Sequence, residues 1–171
     1  LLGLLTPRLG AAADFTWSSA SDALSLDPQS ANDVVSASVQ GAAYEPLVGF
    51  SPDLVPEPAL ALSWDRVAAD RWRFKLRPGL TWSDGKPFTS KDLLFTYNLV
   101  ANANSGSASS SNYSVVEGYA AVAAGTAKTV SGFTAPADNT FVIQTSTPNI
   151  GLVGVTAVVP FLPSHVVRLV P

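Results

Sequence analysis

Hydrophobic and cationic side chains alternate along residues 71–77. Trp72, Phe74 and Leu76 occupy every second position, which is the period of a β-strand with one face in a core. The positions between them hold arginine and lysine, so the other face of this strand is expected to be cationic and in contact with water. The pattern stops at a Pro-Gly pair, where we predict that the strand ends.

A turn and a capped helix follow this strand. Residues 83–86 read Ser-Asp-Gly-Lys, in which Gly85 can adopt a positive φ and the Asp84 carboxylate can accept a hydrogen bond from the backbone. Thr89 and Asp92 have the spacing of a capping box, in which each side chain accepts from a backbone N–H at the start of a helix. The helix is expected to bury one apolar face, formed by Leu93, Leu94, Tyr97 and Val100.

The first part of the chain also has the patterns of regular structure. Residues 15–20 alternate as a strand does, and residues 33–44 predict a helix with Asn32 as its N-cap. Residues 56–64 predict a strand, which residues 65–70 connect to the cationic strand as a hairpin. The helix is expected to place Val35, Val39, Ala42 and Ala43 on one side, and the strand to alternate Leu60, Leu62 and Trp64.

The second half of the chain is less regular. Residues 103–112 are small and polar without periodicity, which indicates a surface loop. Residues 115–124 predict a short helix that ends at Gly125. A second hairpin is predicted from strands at residues 129–133 and 140–144, with its turn at residues 137–139.

The composition indicates a globular chain and excludes several classes of partner and site. Of the 171 residues, 47% are hydrophobic and 13% are charged, and the net charge is −3. Because this charge balance produces no cationic field, a nucleic-acid partner is not expected. The absence of cysteine excludes disulfides, thiol catalysis and thiolate zinc sites. The apolar run at residues 150–162 is interrupted by glycine and Pro160 and is too short to cross a bilayer.

The first residues have the features of a targeting segment. Residues 1–13 are apolar and end in three alanines, which fits a signal-peptide cleavage site with Asp14 as the first mature residue. The alternative is a buried N-terminal segment, although its glycine and proline residues make a poor helix. Because the sequence holds no methionine, residue 1 is not a natural start, and we expect a fragment or a processed product.

No motif for catalysis or metal binding is present in the sequence. His165 is the only histidine and has no cysteine or carboxylate at metal-ligand spacing, so we expect a solvated or capping histidine. There is no nucleophile elbow and no phosphate-binding loop. We therefore expect no metal and no other cofactor. Local bonds at turns and caps account for the carboxylates Glu57, Asp65, Asp70, Asp84 and Asp92.

The strand, turn and capped helix together resemble the signature stretch of the family 5 extracellular solute-binding proteins, the receptors of ABC importers for peptides, nickel and related solutes. Residues 24–28 are similar to the family's Leu-Asp-Pro segment, residues 44–48 to its Tyr-Glu-x-Leu-Val segment and residues 56–64 to its segment ending in Ser-Trp. The signature matches in register at Phe74, Leu76, Arg77, Gly79, Trp82, Asp84, Gly85, Pro87, Phe88, Thr89 and Asp92.

This resemblance implies a two-lobed periplasmic-binding-protein fold of the α+β or α/β class, with a mixed sheet, hairpins and capped helices. It divides the chain into a signal-peptide remnant at residues 1–13, the start of lobe one at residues 14–50 and most of an extra domain at residues 51–171. The extra domain would be truncated at its C-terminal end, and the second lobe would lie outside this sequence. We then expect exposed apolar surface on the helix at residues 33–44 and on the apolar run at residues 150–162.

The resemblance also implies a function and candidate ligand contacts. Family members capture peptides or related solutes in the periplasm or outside the cell and deliver them to an ABC permease in the membrane, without catalysis; we expect a monomer at full length. The segment after the first strand lies along the ligand cleft in this family, which makes Ser19, Ala20, Ser21 and Asp22 the candidate contacts, unless they form a plain Ser-rich loop. Tyr44 is a further candidate, with packing of its ring as the alternative.

Two other classes of function are open on the sequence alone. The first alternative to the receptor is a fragment of a secreted hydrolase whose catalytic residues lie downstream. The second is a secreted β-rich interaction module. The capped helix in register with the family signature argues against the interaction module. A downstream Ser/His/Asp set would favour the hydrolase, and a second lobe would favour the receptor.

Overall fold

The computed structural model describes residues 18–19, 21–30, 33–102, 105–107, 109–156 and 159–167. The predicted signal peptide, most of the predicted first strand and Asn32 lie outside these residues. The helices are α1 (Val34–Ala43), α2 (Ser90–Ala101), α3 (Tyr119–Ala123) and α4 (Leu152–Thr156), with a 3₁₀ helix at Ser110–Tyr113; the strands are β1 (Val48–Phe50), β2 (Pro56–Pro58), β3 (Ala61–Ala68), β4 (Arg71–Leu76), β5 (Phe133–Ala137) and β6 (Thr140–Gln144).

The main sheet has four antiparallel strands in the order β3-β4-β6-β5. The predicted cationic strand is β4, which pairs on both sides. Phe74 lies opposite Phe141 and Trp72 lies opposite Ile143, so these side chains share one face of the sheet. Phe74, Phe141 and Ile143 are buried. The alternation in the sequence therefore predicts the buried face of β4 correctly.

The opposite face of β4 is exposed and polar. The Arg73 guanidinium donates to both carboxylate oxygens of Asp65, at 3.0 and 2.7 Å. Lys75 Nζ donates to the Thr140 hydroxyl at 2.8 Å. Because the Arg73 and Asp65 side chains are nearly half exposed, solvent screens this ion pair and it adds little stability. The prediction of a cationic face in water is confirmed.

Helix α2 covers the apolar face of the sheet, and aromatic rings fill the space between them. The Tyr97 ring stacks against both Phe133 and Phe141, with ring centroids 5.2 Å from each. The Tyr113 and Phe161 rings meet Tyr97 edge-on at 5.3 and 5.5 Å. All five rings are buried, so this cluster is the centre of the core.

The start of α2 has the predicted capping box. Thr89 Oγ1 accepts from the Lys91 N–H at 3.3 Å, and Asp92 Oδ2 accepts from the Thr89 N–H at 2.9 Å. Asp92 Oδ1 also accepts from the N–H and the hydroxyl of Ser164, at 3.2 and 2.6 Å. The same carboxylate therefore accepts a hydrogen bond from a backbone N–H at the start of α2 and attaches the segment after α4 to the helix.

The turn before α2 also forms as predicted. The Gly85 N–H donates to the Trp82 carbonyl at 2.9 Å, and Gly85 has a φ of +82°. Asp84 Oδ1 accepts from the Lys86 N–H at 3.1 Å, which is the expected Asx-type bond. Short-range chemistry is enough to specify this turn.

Helix α1 forms where the sequence predicts it, and the side chains that it buries completely are polar. Its side-chain cap is Asp33, which accepts from the Ser36 N–H at 2.9 Å. Ser36 and Gln40 are buried, because the preceding coil covers them: Leu24 N–H donates to Ser36 Oγ, and Gln40 Nε2 donates to backbone carbonyls of that coil. Val35 and Val39, on the side of the helix that the sequence marks as apolar, are partly buried, and Ala42 and Ala43 are exposed.

The first hairpin is longer than predicted. Strand β3 continues to Ala68, so only Ala69 and Asp70 connect it to β4, in place of the predicted connection at residues 65–70. Leu62 is 55% exposed, because a register shift between Ala61 and Ser63 interrupts the alternation that was expected to bury it.

Three smaller differences concern element boundaries. Strand β5 begins at Phe133, so residues 129–132 precede it. The predicted helix at residues 115–124 forms only at α3, and the predicted loop at residues 103–112 contains the start of the 3₁₀ helix.

Val34 and Ile150 are 82% and 81% exposed, in the two segments for which the sequence predicts exposed apolar surface. Within the described residues no helix is long and apolar enough to cross a membrane.

Candidate functional site

An open cavity of about 380 Å³ lies where four parts of the chain meet. They are the C-terminal end of α1, the residues before β3, the turn after β4 and the segment after α4. Small-molecule sites span roughly 300–1,000 Å³, so this volume is large enough for a side chain or a small solute.

One wall of the cavity is aromatic and aliphatic. Trp82 and Phe88 lie with ring centroids 4.9 Å apart, and Phe88 meets Phe161 edge-on at 6.0 Å. Leu60 and Leu80 extend the same lining. Because Phe88, Phe161 and Leu60 are buried in the core, this wall is held rigidly.

The polar groups of the cavity are few. Tyr44, Thr81 and Ser83 contribute hydroxyls, and Glu45 contributes a carboxylate. Both oxygens of that carboxylate accept from Arg77 Nη2 at 2.8 Å, so Glu45 is already paired. Trp82 Nε1 is buried and has no hydrogen-bond partner within the described residues.

A contact between His165 and Asp84 lies beside the cavity. His165 Nε2 is 2.8 Å from Asp84 Oδ2, and the His165 ring meets Trp82 edge-on at 6.3 Å. The backbone N–H of Lys86 and then the His165 side chain hold the pKa of Asp84 below its usual value. His165 is therefore a partner of the turn after β4.

Only one of the predicted ligand contacts lies at the cavity. Tyr44 lines it, at the end of α1. Ser19, Ser21 and Asp22 are exposed, and Ala20 lies outside the described residues.

The coil before α1 contacts the helix at two places. The Leu24 N–H donates to Ser36 Oγ, and Gln40 Nε2 donates to the carbonyls of Ser25 and Asp27. Among the described residues, Ser19, Ser21 and Asp22 do not line the cavity that Tyr44 lines.

The sequence pattern places Trp82 and Phe88 in the scaffold and does not identify them as part of a cavity. The sequence does hold a sign that these two residues could line a cavity: both are large and apolar and lie beside a turn, where a side chain often stays partly accessible. Phe161 carries no such signal: it is 73 residues away from Phe88 along the chain, and only the fold brings the two rings together.

The arrangement is suited to binding an apolar group. The residues that line the cavity include no histidine and no lysine, and their one carboxylate is paired with Arg77. Within the described part of the chain no three His, Asp or Glu side chains are grouped so that they could hold a metal ion. The cavity offers an aromatic wall and side chains that carry hydroxyls.

Comparison with known proteins gives a consistent result. Residues 55–168 match the family described as bacterial extracellular solute-binding proteins, family 5 middle. The periplasmic oligopeptide-binding protein OppA of Escherichia coli K12 is 33% identical over 87 residues, which are 51% of this chain and 16% of that protein. The probable deoxycholate-binding periplasmic protein YgiS of the same organism is 31% identical over 94 residues, 54% of this chain and 18% of that protein.

A solved structure extends this similarity to the fold. The crystal structure of Haemophilus influenzae OppA in complex with the peptide RPPGFSPFR superposes with a TM-score of 0.78 at 27% identity, over 84% of this chain and 29% of that chain. The mixed helix-and-strand architecture is therefore that of an OppA-type two-lobed binding protein. The chain spans less than a third of the length of each of these relatives.

Proposed function

The chain belongs to the bacterial extracellular solute-binding proteins of family 5, and on this basis we propose that it is part of the substrate-binding component of an ABC importer. The whole protein captures a peptide or a related small solute outside the cytoplasmic membrane and delivers it to the membrane-embedded permease. It works as an exported, periplasmic or extracellular monomer and without catalysis or a cofactor.

The observation that carries this proposal is the fold shared with a peptide complex. Most of this chain superposes on the peptide-bound OppA of H. influenzae, and the E. coli OppA relative is named for oligopeptide binding. The YgiS relative is named for deoxycholate binding, so an apolar solute other than a peptide belongs among the ligands to be tested. The rigid apolar cavity supports binding of either kind.

The division of the chain follows the same proposal. Residues 1–13 are the remnant of a signal peptide, residues 14–50 begin lobe one and residues 51–171 form most of the extra domain. The four-stranded sheet and α2 lie wholly within that last segment, which is in favour of treating it as one unit.

Two parts of the chain are proposed to contact the solute. Ser19, Ala20, Ser21 and Asp22 contact it from the coil before α1; the exposure of Ser19, Ser21 and Asp22 supports this role. Tyr44 contacts it from the cavity that it lines.

Capture depends on closure of two lobes around the solute. A solute that contacts both lobes binds the closed state more tightly than the open state, and this difference in affinity shifts the population towards closure. The permease then distinguishes the loaded protein from the empty one by its closed shape.

The test is ligand-dependent stabilisation of the full-length protein. Melting temperature is measured with di- to pentapeptides, deoxycholate and Ni²⁺, each over a range of concentrations. A ligand present at 100 times its Kd stabilises the folded state by about 2.7 kcal/mol. Recovery of the peptide unchanged, by mass spectrometry, is expected; a cleaved peptide would favour the hydrolase, and no shift with any peptide would contradict peptide capture.

Variants of Tyr44 test its contact with the solute. Tyr44→Ala is expected to weaken solute binding several-fold, while Tyr44→Phe separates the contribution of the ring from that of the hydroxyl. Leu62→Thr is the control, because Leu62 is exposed on β3 and does not line the cavity. If Tyr44→Ala binds the solute as tightly as the parent protein does, Tyr44 does not contact the solute.

A further inference from the structure

The ribbon formed by β1 and β2 is anchored at one end and exposed at the other. Val48 is fully buried at its base, and the Leu60 and Ala61 N–H groups donate to the backbone carbonyls that precede β1. Every residue from 52 to 58 is exposed. A two-stranded ribbon is marginally stable by itself, so its anchored base is what holds the tip in place.

Hydrogen bonds from Ser51 order the tip. The Leu54 N–H donates to the Ser51 carbonyl at 2.9 Å, and the Ser51 N–H donates to the Val55 carbonyl at 2.9 Å. Ser51 Oγ also accepts from the Val55 N–H at 3.2 Å. The loop is therefore a tight turn with Pro52 at its second position, followed by one residue in the left-handed region, a hairpin loop in which that last residue is usually glycine.

Leucine occupies this position. Leu54 has a φ of +60°, where its Cβ is crowded against the backbone, and it is the one non-glycine residue with positive φ in the described part of the chain. Its side chain is 78% exposed, so packing within the described residues does not compensate for the strain. Phe50 and Val55, at the same tip, are 42% and 58% exposed. A strained and exposed leucine in an apolar group of this kind is explained by contact with another molecule.

The charges around the tip restrict what that molecule is. Asp53 and Glu57 are exposed and flank Leu54, and neither side chain has a hydrogen bond or ion pair within the described residues. Two unpaired carboxylates are repelled by an anionic lipid surface. They complement a protein surface on which arginine or lysine surrounds an apolar pocket.

We propose that the tip of the β1–β2 ribbon docks the protein on the permease. Leu54 enters an apolar pocket on the outward-facing surface of the permease, with Phe50 and Val55 beside it, and cationic residues around that pocket pair with Asp53 and Glu57. This assignment rests on the proposed function as an importer component. It concerns the contact with the permease and is separate from the contacts with the solute.

Substitution of Leu54 by glycine gives a sharp test, because it removes the side chain and relieves the backbone strain together. The full-length parent protein and its Leu54→Gly, Glu57→Lys and Leu62→Thr variants are added, loaded with peptide, to the permease reconstituted in phosphatidylcholine liposomes. The ATPase rate is measured against the concentration of binding protein. Peptide affinity and melting temperature are measured separately for each variant.

We expect Leu54→Gly to raise the half-saturating concentration by about tenfold or more, as the loss of a central interface anchor does. Its peptide affinity should be unchanged and its melting temperature equal to or above that of the parent, so unfolding cannot cause the loss. Glu57→Lys should also raise the half-saturating concentration, because it opposes the cationic rim. The control Leu62→Thr should stay within about twofold of the parent.

Each contrary result has a distinct meaning. Equal half-saturating concentrations for the parent and Leu54→Gly would overturn the docking assignment and leave the proposed function intact. A parent protein that binds no peptide, or that does not stimulate the permease, would overturn the proposed function and the assignment with it. Binding of the parent to permease-free liposomes that is lost in Leu54→Gly would show that the tip contacts lipid, and would also overturn the assignment.

Discussion

His165 Nε2 lies 2.8 Å from Asp84 Oδ2 and joins two residues that are 81 positions apart in the sequence. The contact attaches the segment after α4 to the turn that precedes α2. Ser164 reinforces the attachment through its hydrogen bonds to Asp92 at the start of the same helix. The turn, the helix terminus and the C-terminal segment therefore form one connected polar group beside the cavity.

The pH dependence of stability should report on this group. The Lys86 N–H and then His165 hold the pKa of Asp84 below its ordinary value of 3.8. A carboxyl group with a lowered pKa stabilises the fold fully above pH 3.8, and this contribution is lost as the pH falls through the lower pKa of the folded state. We predict that Asp84→Asn flattens the fall in stability below pH 3.8, as measured by urea unfolding in steps from about pH 2 to pH 6.

His165→Ala serves as the comparison in this experiment. It removes the second cause of the shift and leaves the Lys86 N–H in place, so its pH dependence should lie between those of the parent and Asp84→Asn. Identical slopes in all three proteins would show that the contact does not lower the pKa of Asp84.

The buried hydroxyl of Tyr97 should contribute nothing to stability. It has no hydrogen-bond partner within the described residues, and burial raises the pKa of Tyr97 above its usual range. Tyr97→Phe keeps the ring that stacks at 5.2 Å on Phe141 and removes a desolvated hydroxyl. We predict that the free energy of unfolding is unchanged or rises by up to about 1 kcal/mol.

Tyr97→Ala should behave in the opposite way, with a loss of about 3–5 kcal/mol, because it leaves a cavity in the aromatic cluster. Urea unfolding of both variants measures the two effects. A clear loss of stability in Tyr97→Phe would mean that a buried water or another group satisfies the hydroxyl.

Two glycines should respond oppositely to alanine. A Cβ on Gly132 would overlap the Gln144 carbonyl oxygen and lie 2.7 Å from Val116 Cγ1, so Gly132→Ala forces the backbone apart and should cost about 1–3 kcal/mol. Gly41 lies in α1 and has open space where a Cβ would lie, so Gly41→Ala should stabilise the helix by about 0.5–1 kcal/mol. Thermal unfolding of the two variants is the measurement, and a shift in the same direction for both would contradict the prediction.

The elements that the sequence predicts most accurately are those with short-range causes. The Asp84-Gly85 turn and the Thr89–Asp92 capping box each depend on hydrogen bonds between residues that are two or three positions apart. The buried face of β4 depends on strict alternation, and its neighbours β3 and β6 supply the pairing on both sides. The family resemblance extends over the same residues, because its signature consists largely of this scaffold.

The features that the sequence pattern does not anticipate depend on contacts outside that pattern. In α1 the buried side chains are Ser36 and Gln40, because hydrogen bonds to the preceding coil offset the burial of polar groups, and hydrophobicity alone cannot anticipate this. Leu62 is exposed because a register shift interrupts the alternation. Neither feature is visible in a pattern that counts apolar positions.

Local patterns were therefore sufficient for the signature scaffold and, through the resemblance, for the family. The cavity was decided only by the folded chain, because its wall joins Phe88 to Phe161. Turns and caps are specified by bonds between near neighbours, whereas the walls of a cavity depend on which distant segments pack together, a choice made by the total free energy of the fold.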